Sequence, residues 1–183
     1  MCDIRKKKKD LRKKIKKLKK DITDQKREVL SNSLMEKIEN LDQFKKSKTI
    51  FIFWSMDDEV DTRGFIKKHL GKKRFILPSI KGNDLILKPL DSLDQLIDGE
   101  QFNIPEPNSE PLKNLDAIDL AIIPGVAFDI KGNRMGRGRG FYDRILNLLP
   151  KTTEKIGICY QCQIVEDLPV ESFDIPMDTV IYS

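Results

Sequence analysis

The stretch AIDLAIIPG, residues 117–125, is a nearly continuous apolar run that ends in proline and glycine. Such a run is typical of a parallel strand, because a strand buried on both faces does not alternate polar with apolar residues. Proline and glycine mark the point where the strand ends. The stretch therefore predicts a buried strand of a parallel sheet that helices cover on both faces.

Segments with strand-like and helix-like patterns alternate on either side of this run. The expected strands are TIFIFW (49–54), RFILP (74–78), LILKPL (85–90), KIGICY (155–160) and DTVIYS (178–183). Helices are expected at 61–70 and 141–149, and a proline-rich loop at 103–111. This alternation indicates an α/β fold. We predict a single three-layer domain over residues 1–183, with a mostly parallel sheet flanked by helices.

The first 46 residues predict two helices. The apolar residues of the first helix recur at the spacing of one buried face: Ile4, Leu11, Ile15, Leu18 and Ile22. We expect an amphipathic helix over about 4–22 that packs on the domain with its lysines facing outward. Thr23 is expected to cap a second helix, which continues to about residue 46.

The positive charge of the chain is concentrated in this first helix. Residues 1–20 contain twelve of the 34 basic residues and two of the 29 acidic ones, so the remainder has 22 basic against 27 acidic residues. Residues 21–183 therefore have a net negative charge and do not provide the extended basic surface that nucleic-acid binding requires. The sequence has neither an apolar run as long as a membrane span nor the apolar core of a secretory signal. We expect a cytoplasmic protein that binds neither nucleic acid nor membrane.

The three cysteines do not form a disulfide framework, because their number is odd and their spacing irregular. Cys159 and Cys162 have the spacing of a redox or zinc pair, but a zinc site needs four ligands and only Cys2 and His69 remain. The pair also lies in a strand-like run instead of opening a helix. We expect reduced thiols, and for His69 a role at a helix end or in solvent.

The segment GNRMGRGRGFYDR (132–144) has the chemistry of a phosphate-binding loop. Its glycines tolerate positive φ, so successive backbone N–H groups can turn inward and bind an anion. The loop runs into a predicted helix, whose first N–H groups add to this set, and its arginines can pair with phosphate oxygens. Asp143 follows in the first turn, where a carboxylate could hold Mg²⁺.

Other interpretations of this segment remain open. A plain connecting loop would have the same residues, and an RGG-type RNA-binding segment has a similar composition but is long and disordered. The segment is not a P-loop, since no Gly-Lys-Ser/Thr closes it. It is also a poor dinucleotide fingerprint, because the apolar strand ends a dozen residues before the glycines.

Two further groups of residues are candidates for a site. In WSMDDEVDT (54–62), Trp54 could stack on a flat heterocycle and Glu59 could accept hydrogen bonds from it, because ligands bind at the carboxyl ends of strands. The alternative is an acidic helix start, for which Asp61 alone suffices. Lys8 and Arg12 lie one helical turn apart and could grip a phosphate together, or they could be ordinary surface charges.

These segments together resemble the 5-formyltetrahydrofolate cyclo-ligase family, also called the methenyltetrahydrofolate synthetases. The stretch IIPGVAFDIKGNRMGRGRGFYDR (122–144) resembles the family's signature. The other segments follow in the family's order and spacing: KKDLR (8–12), SKTIFIFWSMDDEVDT (47–62), NIPEP (103–107), AIDLAIIPG (117–125) and MDTVIYS (177–183). The resemblance spans essentially the whole chain and implies a single α/β domain.

The resemblance implies an enzyme that uses ATP and Mg²⁺ to convert 5-formyltetrahydrofolate to 5,10-methenyltetrahydrofolate, with release of ADP and phosphate. In that reaction ATP phosphorylates the formyl oxygen, N10 attacks the activated carbon, and phosphate leaves. The implied partner is this small molecule, and we expect a monomer. A nucleotide-dependent kinase or ligase for another small acid, or an RNA-binding protein, remains the alternative.

The resemblance also assigns site residues by position. Lys8 and Arg12 correspond to ligands of the ATP phosphates, and Trp54 and Glu59 to folate contacts. The ATP-binding loop comprises Arg134, Met135, Gly136, Arg137, Gly138, Arg139, Gly140, Phe141 and Tyr142, of which residues 137–141 also reach the folate. The expected catalytic residues are Arg137, Tyr142 and Asp143, and the expected Mg²⁺ ligands are Asp143 and Asp178. Trp54 stands where the family has an aliphatic residue, which favours stacking on the pterin.

Overall fold

A computed structural model of the chain describes residues 2–99, 101 and 104–183. Its helices are α1 (Cys2–Lys20), α2 (Asp24–Asn40), α3 (Asp42–Lys46), α4 (Arg63–His69) and α5 (Phe141–Leu146). Its strands are β1 (Thr49–Ile52), β2 (Arg74–Lys81), β3 (Asp84–Leu90), β4 (Leu96–Asp98), β5 (Pro105–Pro107), β6 (Leu120–Pro124), β7 (Ala127–Asp129), β8 (Arg134–Met135), β9 (Glu154–Cys159), β10 (Ile164–Val165) and β11 (Thr179–Tyr182).

The main sheet has six strands in the order β11-β9-β6-β1-β2-β3. Its strand pairs are parallel except β2 with β3, which form a hairpin at one edge. Two smaller sheets lie beside it, β10-β7-β8 and β4-β5. The predicted α/β fold with a mostly parallel sheet is therefore confirmed, and β6, the strand predicted from residues 117–125, lies near the sheet's centre.

Helices cover both faces of this sheet because successive side chains of a strand point to opposite sides. In β1, Ile50 and Ile52 belong to one apolar cluster, which includes residues of α2 and α4. Phe51, between them, belongs to the cluster on the other face, which includes Ile145 and Leu146 of α5. All residues of β1 and β6 are buried, as expected for central parallel strands.

The N-terminal helix differs in detail from its predicted pattern. Ile15 is fully buried in a third cluster with Met135, but Leu18 is 38% exposed. Lys19 is buried in its place, since its ammonium reaches Asp58 at 2.8 Å. An ion pair thus replaces an apolar contact near the end of α1, which ends at Lys20 instead of residue 22.

The predicted second helix is two helices. Thr23 caps α2 as expected, through a hydrogen bond from the Lys26 amide. Leu41 then adopts an extended conformation and separates α2 from α3. Its side chain packs against the core and Phe44 of α3 is buried. Leu41 follows Leu34 by seven residues, so the apolar spacing of one helix face continues across the interruption and gives no signal of it.

The short strands β4, β5, β7, β8 and β10 were not predicted, because two or three residues are too few to show a periodic pattern. Strand β5 lies inside the predicted proline-rich loop, and Asn103 of the NIPEP motif lies outside the described residues. Among those described, no helix has the length and apolar character needed to cross a bilayer.

Two groups that sequence analysis set aside are packed into the core. Cys159 is buried and its pKa is raised to about 12, chiefly by burial, so it remains a thiol. His69 ends α4 as expected, but its ring packs against Phe44 and Phe65, and Nε2 lies 2.9 Å from Glu39 Oε1.

The substitution Gly157→Ala tests the packing that supports the β7–β8 hairpin. A Cβ at Gly157 in β9 would collide with the Phe128 ring, so we expect a loss of about 1–3 kcal/mol in the free energy of unfolding. Gly64→Ala in α4 is the control, because a Cβ there meets nothing within 4 Å; it should change stability by no more than about 1 kcal/mol, in the stabilising direction. Urea unfolding followed by circular dichroism measures both, and equal effects would contradict this account.

Candidate active site

The glycine–arginine loop lies at the carboxyl end of β6, where an α/β sheet commonly binds its ligand. The chain leaves β6 at Pro124, forms the β7–β8 hairpin and returns through residues 136–140 into α5. A cavity of about 300 Å³ opens beside the loop, between Pro124 and Glu59. The loop is therefore an ordered wall of a cavity and not a disordered tail.

The hairpin before the loop is fixed by one buried carboxylate. Asp129 is fully buried and accepts hydrogen bonds from the backbone amides of Lys131, Asn133 and Leu168, and from the Asn133 side chain. Such a set satisfies a charge that would be costly to bury without partners. Asp129 thereby sets the position at which Arg134 enters the site.

The backbone of the loop has the conformation expected for an anion-binding turn. Gly138 has φ +102° and Gly140 has φ +67°, values that residues with a Cβ rarely adopt. Gly140 also precedes the first residue of α5 with no side-chain cap on that helix. Left-handed glycines before an uncapped helix start are also features of the backbone nests that bind phosphate.

Arg134 places a buried cation in the cavity wall. It is 3% exposed, and its Nη2 donates to Asp143 Oδ1 at 2.5 Å. Its Nη1 lies 3.4 Å from the Pro124 carbonyl, and its guanidinium lies 5.5 Å from the centre of the Tyr142 ring. The Nε is buried and has no hydrogen-bond partner among the described residues, so the charge of Arg134 is compensated mainly by Asp143.

Arg137 is held over the same cavity by two carboxylates. Its Nη2 lies 2.7 Å from Asp58 and 3.1 Å from Glu59. Burial opposes the charge on Asp58, but Lys19 and Arg137 outweigh it and lower the pKa of that carboxyl. Arg137 is therefore a charged group whose position depends on the segment after β1.

A second cavity, of about 510 Å³, lies between α1, the loop and residues 171–174. Lys8 is 7% exposed, and its ammonium lies 2.6 Å from Asp174 and 2.9 Å from Glu171. Although burial opposes its charge, these carboxylates raise the pKa of Lys8. Arg12 Nε donates to the Gly136 carbonyl at 2.9 Å. Both predicted phosphate ligands of α1 thus line a cavity that also contains Asp143.

A third cavity, of about 120 Å³, is mostly apolar and adjoins the first. It is lined by Phe53, Trp54, Met56, Glu59, Pro78, Ile80, Leu85, Ile104, Glu106, Pro124, Arg137, Phe141 and Tyr142. Glu59 and Tyr142 belong to both cavities. Burial raises the pKa of Tyr142, so its phenol stays protonated. An apolar chamber beside a cavity lined by arginines is the main feature of the site.

The remaining predicted residues of the loop line the site in different ways. Met135 is 2% exposed and shares an apolar cluster with Ile15 of α1. Arg139 donates to Gln101 Oε1 at 2.8 Å, and its guanidinium lies 5.9 Å from the centre of the Phe141 ring. Met135 therefore joins α1 to the loop, while Arg139 reaches toward the segment after β4.

The structure does not bring Asp178 next to Asp143. Asp178 precedes β11 near the amino ends of the parallel strands, where it accepts from the Lys155 amide at 2.7 Å and pairs with the Lys155 ammonium at 2.9 Å. Asp143 lies at the opposite, carboxyl ends. Within the described part of the chain, no three His, Cys, Asp or Glu side chains form a ready metal site.

Sequence analysis missed Glu171 and Asp174. Both line the cavity of Lys8, Arg12 and Asp143, but residues 171–174 have no helical or strand period. Their contacts with Lys8 span more than 160 positions, and a single sequence gives no signal for such a pairing.

Comparison with known proteins gives a consistent assignment. The 5-formyltetrahydrofolate cyclo-ligase family matches residues 4–183. The 5-formyltetrahydrofolate cyclo-ligase of Haemophilus influenzae is 36% identical over 81% of this chain and 83% of its own length, and that of Mus musculus is 33% identical over 81% and 80%.

Solved structures agree with this match. The NMR structure of Aquifex aeolicus 5,10-methenyltetrahydrofolate synthetase is similar with a TM-score of 0.85 and 34% identity, and covers 96% of this chain and 89% of that one. A Mycoplasma pneumoniae 5,10-methenyltetrahydrofolate synthetase, at 24% identity and a TM-score of 0.77, supports the fold.

The substitution Lys8→Met tests whether α1 is fastened to the site through Lys8. It leaves Asp174 and Glu171 partly buried without their cation, so we expect a loss of about 1–3 kcal/mol in the free energy of unfolding. Lys7→Met is the control, because the Lys7–Asp3 pair is exposed and should contribute less than about 1 kcal/mol. Chemical denaturation gives both values, and similar losses would show that Lys8 does not anchor the helix.

Proposed function

The chain belongs to the 5-formyltetrahydrofolate cyclo-ligase family, and we propose that it uses ATP and Mg²⁺ to convert 5-formyltetrahydrofolate into 5,10-methenyltetrahydrofolate, with release of ADP and phosphate. One observation carries the ATP-dependent form of this proposal. The apolar chamber around Trp54 and the cationic cavity of the glycine loop adjoin and share Glu59, Arg137 and Tyr142. Such a pair of cavities suits a heterocycle that meets a phosphate.

The chemistry explains why both cavities are needed. The formyl group on N5 is an amide, and its oxygen is a poor leaving group. When the formyl oxygen attacks the terminal phosphorus of ATP, ADP leaves and the oxygen becomes part of a phosphate. N10 then attacks the formyl carbon, the C–O bond breaks, phosphate leaves and N10 loses its proton. The enzyme's contribution is to align these groups and stabilise the moving charge.

The residues of the loop fit a phosphate chain. Arg134 is a buried cation in the cavity wall, and Gly138 and Gly140 hold the backbone in the left-handed region. Lys8 and Arg12 approach from α1 on the other side of the loop. Lys8 would share its charge between a phosphate and the carboxylates that it contacts, as a flexible ammonium with three donors can.

The carboxylates of the second cavity fit Mg²⁺. Asp143 and Asp174 line it together, and their side chains are 16% and 11% exposed. Mg²⁺ in nucleotide sites is bound by one or two carboxylates together with the phosphates. We therefore assign the metal to Asp143 with Asp174 and not to Asp178. When bound, Mg²⁺ neutralises phosphate charge.

Arg137 and Tyr142 act where the cavities join. Asp58 and Glu59 hold the Arg137 guanidinium, so it can stabilise negative charge on the phosphoryl group in transfer. Because the Tyr142 phenol stays protonated, it can donate a hydrogen bond to a ligand and does not act as a base. On the folate side, Trp54 stacks against the pterin and Phe141 closes the chamber.

The purified protein, mixed with 5-formyltetrahydrofolate, ATP and Mg²⁺, tests the proposal. We expect the near-ultraviolet absorbance of the methenyl product to rise only when all three are present, with one ADP released for each product molecule. A folded protein that gives no product beside a working cyclo-ligase would refute the proposal.

Asparagine substitutions distinguish the metal ligands. Asp143→Asn and Asp174→Asn should each lower kcat at least about 100-fold and raise the Mg²⁺ concentration needed for half-maximal rate, because each removes a charged ligand. Asp178→Asn should retain activity within about twofold, since its carboxylate lies at the other end of the sheet. Loss of activity in Asp178→Asn, with a normal circular dichroism spectrum, would restore Asp178 as a ligand.

Gly138→Val tests the backbone turn. Valine strongly disfavours φ near +102°, so the turn should shift and the KM for ATP should rise at least about tenfold. Arg139→Ala, which leaves the turn intact, should raise it only a few-fold. Gly71→Val is the control for strain, because Gly71 has φ +85° in a turn outside the three cavities of the site. An equal rise in the KM for all three variants would exclude a special role for the turn.

A further inference from the structure

The apolar chamber contains a carboxylate that the reaction does not use. Glu106 is 8% exposed and lines the chamber with Trp54, Ile80 and Tyr142. A charged group in such surroundings is costly unless it has hydrogen-bond donors. A carboxylate in the wall of this chamber therefore needs hydrogen-bond donors, from the protein or from a ligand.

The backbone holds Glu106 in a fixed position. It is the central residue of β5, between Pro105 and Pro107, and lies opposite Ile97 of β4. Proline fixes φ, so the Pro-Glu-Pro strand has few alternative conformations. The Ile80 amide of β2 donates to Glu106 Oε1 at 3.0 Å, which orients the carboxylate in advance of binding.

Gly99 lets the carboxylate sit where it does. A Cβ at position 99 would lie 2.9 Å from both Cγ and Cδ of Glu106, and 2.5 Å from the Ile104 carbonyl oxygen. Any larger residue would displace the glutamate or the strand that carries it. The turn after β4 is thus built closely around the side chain of Glu106.

The acceptor capacity of Glu106 is largely unused by the protein. A carboxylate can accept about four hydrogen bonds, and the described residues supply the single one from Ile80. Glu59, in the same chamber, differs: one oxygen accepts from the Met56 amide and the other from Arg137. Glu106 is consequently the carboxylate of the chamber that is available to a ligand with paired donors.

We propose that Glu106 recognises the 2-amino-4-oxopyrimidine edge of the pterin, an inference that rests on the function proposed above. The ring N3–H and the neighbouring 2-amino group are adjacent donors that point the same way. A carboxylate accepts such a pair with one bond to each oxygen. Trp54 stacks on the ring while Glu106 fixes its rotation, which directs the formyl group toward the cavity of the glycine loop.

Trp54 offers a direct readout of binding, because it is the single tryptophan of the chain. Titration with 5-formyltetrahydrofolate in the absence of ATP, followed by its fluorescence, gives Kd without turnover. We expect Glu106→Ala to raise this Kd about 10- to 100-fold, the range for lost hydrogen bonds to a charged group. The Kd for ATP, from calorimetry, should stay within about twofold.

A ligand analogue separates recognition from a merely structural role. The 2-desamino-2-methyl analogue of 5-formyltetrahydrofolate keeps N3–H but lacks the amino donors. Wild-type protein should bind it about tenfold more weakly than the parent compound, whereas Glu106→Ala should bind both with similar, weak affinity. If the variant keeps the wild-type preference, Glu106 does not read this edge and the proposal is overturned.

Two further variants complete the test. Glu110→Ala removes the same charge from an exposed position of the same loop and should leave both Kd values unchanged; a rise equal to that of Glu106→Ala would point to net charge and overturn the proposal. Glu106→Gln keeps the shape but puts an amide NH₂ against the ligand's donors. Glu106→Gln should therefore lose most of the preference for 5-formyltetrahydrofolate over the 2-desamino-2-methyl analogue. If Glu106→Ala fails to fold, this variant tests in its place whether Glu106 recognises the amino group.

The possible outcomes distinguish a failure of the Glu106 proposal from a failure of the proposed function. Wild-type protein that fails to bind 5-formyltetrahydrofolate would contradict the proposed function and this inference with it. Wild-type protein that binds and discriminates, together with a Glu106→Ala variant that discriminates equally, would leave the proposed function intact and remove Glu106 from it.

Discussion

The buried ion pair between Arg134 and Asp143 connects the two ends of the glycine–arginine loop. Arg134 lies at the end of the β7–β8 hairpin and Asp143 in the first turn of α5, so their contact joins the two ends of the flexible segment between them. The removal of one partner of such a buried pair typically costs about 3–5 kcal/mol, because it leaves an uncompensated charge. The pair gives the intervening glycines a fixed frame in which left-handed conformations are maintained.

Near this ion pair, cations are paired with carboxylates. This arrangement suits a ligand that has both negative and positive groups. The pairs are Lys8 with Asp174, Lys19 and Arg137 with Asp58, and Arg134 with Asp143. In the proposed function, a magnesium nucleotide would offer anionic phosphates to the cations and a metal ion to the carboxylates. Such binding would exchange partners within the site without burying any of these charges alone, which would limit the desolvation cost.

The apolar chamber around Trp54 offers a ligand different interactions from those of the charged cavities. Aromatic and aliphatic walls bind a flat ring through burial of apolar surface, which has little directional preference. Orientation has to come from a few polar groups, and the fixed Glu106 and the paired Glu59 lie in that wall. The proposed reaction, in which one formyl oxygen must reach one phosphorus, would depend on this orientation as much as on affinity.

The fold and part of the site could be predicted because their signals are local. Continuous apolar runs identified the central strands β1 and β6, and alternation with helical patterns gave the sheet's parallel character. Glycine spacing and the helix that follows pointed to the loop and Asp143 that line the cavities, while the family resemblance supplied Lys8 and Arg12. The break at Leu41 escaped prediction, because the apolar spacing of Leu34, Ile38 and Leu41 is compatible with one continuous helix.

The sequence by itself determined which segments form the parallel sheet and which loop carries glycine, arginine and carboxylate chemistry, since these depend on residues close together in the chain. The tertiary structure alone decided that Asp174, and not Asp178, lines one cavity with Asp143, and that Glu106 lines another with Trp54. The physical reason is that both arrangements join segments far apart in sequence. Strand order and the packing of α1, not any local pattern, determine which distant side chains come into contact.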